Sequence, residues 1–184
     1  MFGIRNPFSR PIESWHVQFI EFLAKTLKPR VYLEIGIYEG ETFNKVQALH
    51  KIAVDIRVES LEYVENSEYI TKIHGDSNDT REYLLNSGEK VELAFIDADH
   101  QANSVIQDFT NIEPFMGVNG IVLFHDTYPG TLGFSSPEYC GDGFLAIPKL
   151  RLIFPNWNFV TLPVHPGLTI ASRTDAVPDW YKNV

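Results

Sequence analysis

The sequence predicts an α/β fold: a doubly wound, seven-stranded, mostly parallel sheet with helices on both faces and an antiparallel hairpin at the C-terminal end. Three observations carry this expectation. Five short apolar segments alternate with helical patterns, as strands covered on both faces should. The last two strand-like segments are joined only by Pro163-Val164-His165-Pro166-Gly167, too short for a helical crossover, so they pair antiparallel. A length of 184 residues, 44% hydrophobic and 21% charged, suits one globular domain able to bury a core. The expected organisation is a single domain over 1–184, with a helical segment at 1–29, a core at 30–173 and a tail at 174–184.

The elements follow in order. Ile12, Trp15, His16, Phe19, Ile20, Leu23 and Leu27 recur at helical spacing and predict an amphipathic helix over 12–28, ended by Lys28-Pro29. Val31 to Ile35 reads as a buried strand stopped by Gly36. Thr42 to His50 reads as a short helix with Phe43, Val46 and Leu49 on one face. Ile52 to Ile56 is a second strand, 60–68 a weak helix, and Tyr69 to His74 a third strand. Asn78 to Asn86 is helical, and Val91 to Ile96 is a fourth strand. Ala102, Val105, Ile106, Phe109 and Ile112 mark a helix, and Gly120 to Phe124 a fifth strand. A Gly- and Pro-rich loop at 128–143 precedes a helix over 144–154 containing Pro148. Strands at 157–162 and 168–172 close the sheet.

The chain carries 24 acidic and 15 basic residues, a formal charge of −9. Such a surface argues against a nucleic-acid backbone as partner. Cys140 is the single cysteine, so no intrachain disulfide forms and no thiolate cluster holds zinc. No apolar run is long enough for a transmembrane helix, and residues 1–11 do not read as a signal peptide, which makes a cytoplasmic protein the default.

In such sheets ligands bind at the carboxyl ends of the strands, near the topological switch point. The first strand is followed by Gly36 and Gly40 in a G-x-x-x-G spacing, unlike the G-x-G-x-x-G of a dinucleotide site. Gly36 lets the backbone turn and Gly40 lets a ligand approach the helix start; an ordinary strand-to-helix turn is the alternative. Glu39 and Glu41 would repel a diphosphate, which favours a nucleoside without phosphates. Asp55 ends the second strand, where a carboxylate suits both hydroxyls of a ribose; a solvated loop aspartate is the alternative. Asp76-Ser77 follows the third strand, as reader of an adenine edge, as helix N-cap, or both.

Asp97 and Asp126 end the fourth and fifth strands and could converge. Two adjacent carboxylates repel unless they share a proton or a cation, and Mg²⁺ is the simplest hard ion. His100 and His125 lie beside them as candidate proton acceptors, with a packing or capping role as the alternative. His16 reads first as a core histidine that could border the ligand. His165 reads as structural, and Trp15, Trp157 and Trp180 as packing residues.

The segments LEIGIYEGET (33–42), FIDADH (95–100) and VLFHDT (122–127) together resemble the class I S-adenosylmethionine-dependent methyltransferases, whose fold is Rossmann-like. The nearer branches are the cation-dependent catechol and caffeoyl-CoA O-methyltransferases and the macrocin O-methyltransferase and cephalosporin-hydroxylase-like group. The resemblance runs from about Ile12 to Arg173. It implies that Glu34, Gly36, Tyr38, Gly40 and Thr42 hold the methionine portion of S-adenosyl-L-methionine. It implies Asp55 at the ribose, Asp76 and Ser77 at the adenine, and Asp97 beside the cofactor. It makes Asp97 and Asp126 the ligands of Mg²⁺ or another divalent cation, and sets His100 where catechol-type enzymes carry a lysine base.

The departure lies at the third metal position. Thr127 stands where catechol-type enzymes have asparagine, and His125 where the hydroxylase-like branch has an acidic residue. The expected activity is methyl transfer to a hydroxyl oxygen of a small molecule, with His100 as base and His125 as second choice. Loop 128–143, with Tyr128, Pro129, Phe134, Tyr139 and Cys140, is expected to shape the acceptor pocket. Neither nucleic acid nor membrane is expected as a partner, and a homodimer that completes the site stays open. The competing readings are a non-catalytic binding module of the same fold, an NAD-dependent oxidoreductase and a hydroxylase-like activity.

Overall fold

The computed structural model describes residues 15–137 and 139–175. The elements are α1 (Trp15–Leu27), β1 (Val31–Ile35), α2 (Glu41–Lys45), β2 (His50–Asp55), β3 (Ile70–His74), α3 (Ser77–Ser87), β4 (Val91–Ile96), α4 (Ala102–Ile112), β5 (Met116–His125), α5 (Ala146–Ile153), β6 (Trp157–Leu162) and β7 (Leu168–Arg173). The sheet order is β3-β2-β1-β4-β5-β7-β6. The first five strands are parallel, and β7 runs antiparallel to both β5 and β6. The winding reverses between β1 and β4, so the switch point lies above their carboxyl ends. The doubly wound α/β expectation is met.

Side-chain alternation divides the core into two layers, because successive strand residues point to opposite faces. Leu33, Ile52, Val54, Ala94, Ile96, Val122 and Phe124 pack with α4 and α5 on one face. Tyr32, Ala53, Leu93, Phe95 and Leu123 pack with α1 and Phe43 on the other. Phe109 of α4 centres the first layer, with ring centroids 5.5 Å from Phe124, 4.9 Å from Phe154 and 5.1 Å from Trp157. The polar chain ends of β1, β4 and β5 therefore stand on a rigid base.

Several boundaries differ from the expected ones. The helix expected over 42–50 ends at Lys45, and His50 begins β2. The His50 amide donates to Arg30 O at 2.8 Å and its imidazole pairs with Glu89, so sheet pairing overrides the helical pattern. Phe43 and Val46 are buried as expected, whereas Leu49 is exposed. The weak helix at 60–68 is a single 3-10 turn, Ser60–Tyr63. Strand β5 begins at Met116, with a register shift opposite Val91 and Leu93. Pro148 falls in the first turn of α5, where a missing N–H leaves no helical bond unmade. Ile12 and Trp180 lie outside the described residues. No helix among the described residues is long and apolar enough to cross a membrane.

Candidate active site

The loop after β1 folds around a contact between backbones. Gly36 has φ 92° and donates its amide to Val54 O at 2.9 Å. A Cβ built on Gly36 would stand 2.2 Å from the carbonyl oxygen of Asp97. Beyond the backbone turn expected of it, Gly36 is constrained by the chain after β4 that crosses above it. Tyr38 adopts φ 51°, and Gly40, at φ 71°, forms the N-cap of α2.

Asp55 organises this loop. Its Oδ2 accepts the amides of Ile37 at 2.9 Å and Tyr38 at 3.1 Å, its Oδ1 accepts the Arg57 amide at 2.8 Å, and the Ser60 hydroxyl adds a fourth bond. Burial alone would raise its pKa, but these donors hold it below the usual carboxylate range. Four donors match the acceptor capacity of a carboxylate. Asp55 thus lines the ligand cavity while its own bonding is met by the chain.

Asp76 caps α3 through a capping box: Oδ1 accepts the Asn78 amide at 2.7 Å, and Asp79 Oδ2 accepts the Asp76 amide at 2.9 Å. Ser77 is buried. Its hydroxyl accepts from Asn111 Nδ2 at 3.0 Å and bonds the Asp108 carboxylate.

The ends of β4 and β5 converge as expected. His125 Nδ1 lies 3.0 Å from Asp97 Oδ1 and 3.3 Å from Asp126 Oδ2. His125 Nε2 lies 3.1 Å from His16 Nδ1, across from α1. His100 Nε2 lies 3.1 Å from Asp126 Oδ2. Burial would lower the His125 pKa, but Asp97 and Asp126 outweigh it and push it up to about 10. Burial and the neighbouring His125 bring His16 down to about 4. The proton therefore resides on His125, which donates to the carboxylates from Nδ1 and to neutral His16 from Nε2. His16 is a core histidine that also borders the site. Asp126 holds φ 56°, a left-handed conformation that costs a non-glycine residue ~1–3 kcal/mol and aims its carboxylate into the cluster.

These groups share one cavity of about 1290 Å³. Gly36, Tyr38, Asp55, Asp76, Ser77 and Asp97 line it, as do His100, His125 and Asp126. A smaller recess of about 270 Å³ adjoins it through Gly36, Tyr38, Asp97 and His125, and holds Glu34 and Thr42. Gly40 lines neither space. Glu34 is buried beside the Tyr32 hydroxyl, and burial raises its pKa well above the ordinary value.

Of the loop residues expected at the acceptor side, Tyr139 and Cys140 reach the cavity. Phe134 instead packs its ring 4.2 Å from that of His165. Burial, followed by the nearby Asp126, pushes the Cys140 thiol up to about 12, so it stays protonated. His165, expected to be structural, also lines the cavity, and its carbonyl accepts the Trp15 indole N–H at 3.1 Å. Gly141 presses this loop onto His100: its Cβ would stand 2.2 Å from His100 O. Asp108 and Arg57 line the cavity without having been singled out by the sequence. For Asp108 the signal was present, as a carboxylate next to Phe109 on the buried flank of α4.

Asp97, His100 and Asp126 bring one donor atom each within 4.8 Å of one another, as do His16, Asp97 and His125. Carboxylate oxygens with an imidazole nitrogen form a donor set that fits a divalent cation. Thr127 has a buried hydroxyl without a partner among the described residues and lines neither space, whereas His125, the other residue at the third position, lines both.

A family model described as a methyltransferase domain matches residues 33–127, from β1 through the end of β5. The chain belongs to this methyltransferase-domain family. A mimivirus protein of Acanthamoeba polyphaga mimivirus, uncharacterized protein R132, is 27% identical over 139 residues, or 66% of this chain; the match spans 62% of that relative's length. An O-methyltransferase from Bacillus cereus, solved in complex with SAH, superposes with TM-score 0.71 at 16% identity, covering 90% of this chain and 84% of that one. The SAH-bound Podospora anserina methyltransferase PaMTH1 superposes with TM-score 0.65 at 21% identity, covering 87% and 78%. These likenesses establish that the methyltransferase domain here has their fold.

Proposed function

We propose that this methyltransferase domain transfers a methyl group from S-adenosyl-L-methionine to a hydroxyl oxygen of a small molecule. One observation carries the reading: Gly36, Asp55 and Asp97, from three separate strand ends, line the same cavity as the His100–Asp126 pair. Two solved neighbours of the same fold hold SAH, which supports the choice of donor. The sulfonium carries a positive charge, and the cavity answers it with carboxylates and no diphosphate cradle.

In the transfer step the methyl carbon's bond to sulfur breaks as its bond to the acceptor oxygen forms. The acceptor hydroxyl gives up its proton, and S-adenosylhomocysteine leaves as a neutral thioether. His100 is the base in this reading. Its Nε2 is oriented by Asp126, and its Nδ1 has no partner among the described residues. His125 has both ring nitrogens engaged, which leaves it to hold Asp97 and Asp126 in place. A divalent cation, when bound by Asp97 and Asp126, supplies Lewis acidity that lowers the pKa of the acceptor hydroxyl. The location is cytoplasmic in the same reading.

Calorimetric titration with SAH tests the donor: binding is expected, and binding of NAD⁺ in its place would replace the reading with the oxidoreductase. His100→Ala should lower SAH release with an accepted hydroxyl substrate by ~10²–10⁴ while SAH affinity stays within about twofold. Unchanged turnover would remove His100 from the role.

A further inference from the structure

We propose that Asp108 reads the base of the bound nucleoside, its carboxylate accepting a hydrogen bond from the 6-amino group of adenine. The inference rests on the S-adenosylmethionine reading above. With methyl transfer set at the ends of β4 and β5, the nucleoside must run along the cavity toward β2 and β3. That direction passes Asp55 and arrives at Asp76, Ser77 and Asp108, where the N-terminus of α3 meets the flank of α4. Ile56 and Ala98 line the cavity as well and supply apolar surface for a purine face.

The two residues that the sequence offered for this task carry bonds of their own. Asp76 accepts the Asn78 backbone amide at Oδ1 and the Asn78 side-chain amide at Oδ2, the latter at 3.1 Å. The Ser77 hydroxyl is fixed between Asn111 and Asp108. Asp108 is different: it is only 8% exposed, lines the cavity, and has Ser77 as its one hydrogen-bond donor among the described residues. A carboxylate offers about four acceptor sites, and a buried one left mostly unmet is costly.

Burial first, then the nearby Asp76 and Asp99 charges, push its pKa up to about 6. It is an acceptor in need of a donor at neutral pH. Asp55, buried to a similar degree, shows the opposite condition, with four donors of its own and a lowered pKa. Unmet acceptor capacity facing a cavity is the mark of a ligand-binding group, and an exocyclic amine supplies what is missing.

The test is a thermodynamic cycle in the full chain, with SAH and its 6-deamino purine analogue as probes, read by calorimetry. Wild type is expected to bind SAH at least about tenfold more tightly than the analogue, the scale of one hydrogen bond to a charged group. Asp108→Ala should weaken SAH by a similar factor, leave the analogue unchanged, and so abolish the discrimination. Asp108→Asn, nearly isosteric, guards against a packing artefact: it should retain part of the preference, because its carbonyl still accepts. Equal loss of both probes in Asp108→Ala would make the role structural and overturn the proposal, as would wild-type discrimination in that variant. Failure of the wild type to bind SAH at all would overturn the donor reading beneath it, and the two failures are distinct in the first titration.

Discussion

The Asp55 end and the Asp97–Asp126 end of the cavity both bury carboxylates, but they stabilise them by different means. Around Asp55 the donors are backbone amides and a hydroxyl from Ile37, Tyr38, Arg57 and Ser60, all on the two loops that Asp55 joins. Around Asp97 and Asp126 the donors are imidazoles from the loop after β4 and the tip of β5, and His125 donates in turn to His16 of α1, 109 residues away. Backbone donors cannot be mutated away, so the Asp55 end depends on chain path. The Asp97–Asp126 end depends on a charge balance in which each side chain counts. Substitutions that alter path should therefore damage the first end, and substitutions that alter charge the second.

The largest effect is expected where both ends meet. Gly36→Val adds a Cβ against the Asp97 carbonyl at a position with φ 92°. No rotamer relieves a backbone clash, so a loss above ~3 kcal/mol in denaturant unfolding, together with loss of SAH binding, should follow. A fully stable Gly36→Val that binds SAH would show that the β1 and β4 loops are not locked together.

His125→Ala comes next. It leaves Asp97 and Asp126 facing each other without the imidazolium, a loss expected near ~3 kcal/mol. The pH response separates the two ends. The His125 pKa is raised in the fold from 6.5 to about 10, so its stabilisation is complete below pH 6.5 and fades as pH rises toward 10. Asp55 and Asp97 have lowered pKa values, so their contributions are present above the ordinary aspartate range and are lost on acidification. Between pH 7 and 10, amide protection factors, corrected for the faster intrinsic exchange, should fall at 97–100 and 125–127 and hold at 36–40. Equal loosening of both would break the comparison.

The same difference explains what could be read from the sequence. The sheet, its order of helices and its closing hairpin follow from periodicities that are local in the chain. Gly36, Asp55 and Asp97 were legible because each directly follows an apolar strand. His16 was legible as a core histidine bordering the ligand but not as the partner of His125, since only the packing of α1 against the sheet brings the two rings together. Asp108 carried a signal, a carboxylate on the buried flank of α4, but among Val105, Ile106, Phe109 and Ile112 it passes for an incidental polar residue. The donors that Asp55 accepts were not legible, because two loops supply them mostly as backbone amides and amides leave no trace in composition. The helix expected over 42–50 failed at His50, where pairing with β1 and the Glu89 contact outweigh a short amphipathic pattern.

Asp108→Asn gives a smaller change, and of the opposite sign. The Asp108 pKa is raised in the fold, so the native state binds a proton more tightly than the unfolded chain, and stability falls as pH rises from about 4 to about 6. Removing the carboxylate should raise stability at pH 7 by ~1–3 kcal/mol while weakening SAH, a trade expected of a group kept for binding. A destabilised Asp108→Asn would place Asp108 with Asp55 among the satisfied carboxylates.

Arg57→Ala should do least. Its guanidinium lies 5.4 Å from the Tyr38 ring and 3.8 Å from Asp55 Oδ1, but the side chain is more than half exposed. Water screens both contacts, so a change below ~1 kcal/mol in stability is expected. Its backbone amide, which donates to Asp55, survives the substitution. SAH affinity should therefore shift by no more than a few fold. A loss comparable to that of His125→Ala would mean that side chains, and not chain path, hold the Asp55 end.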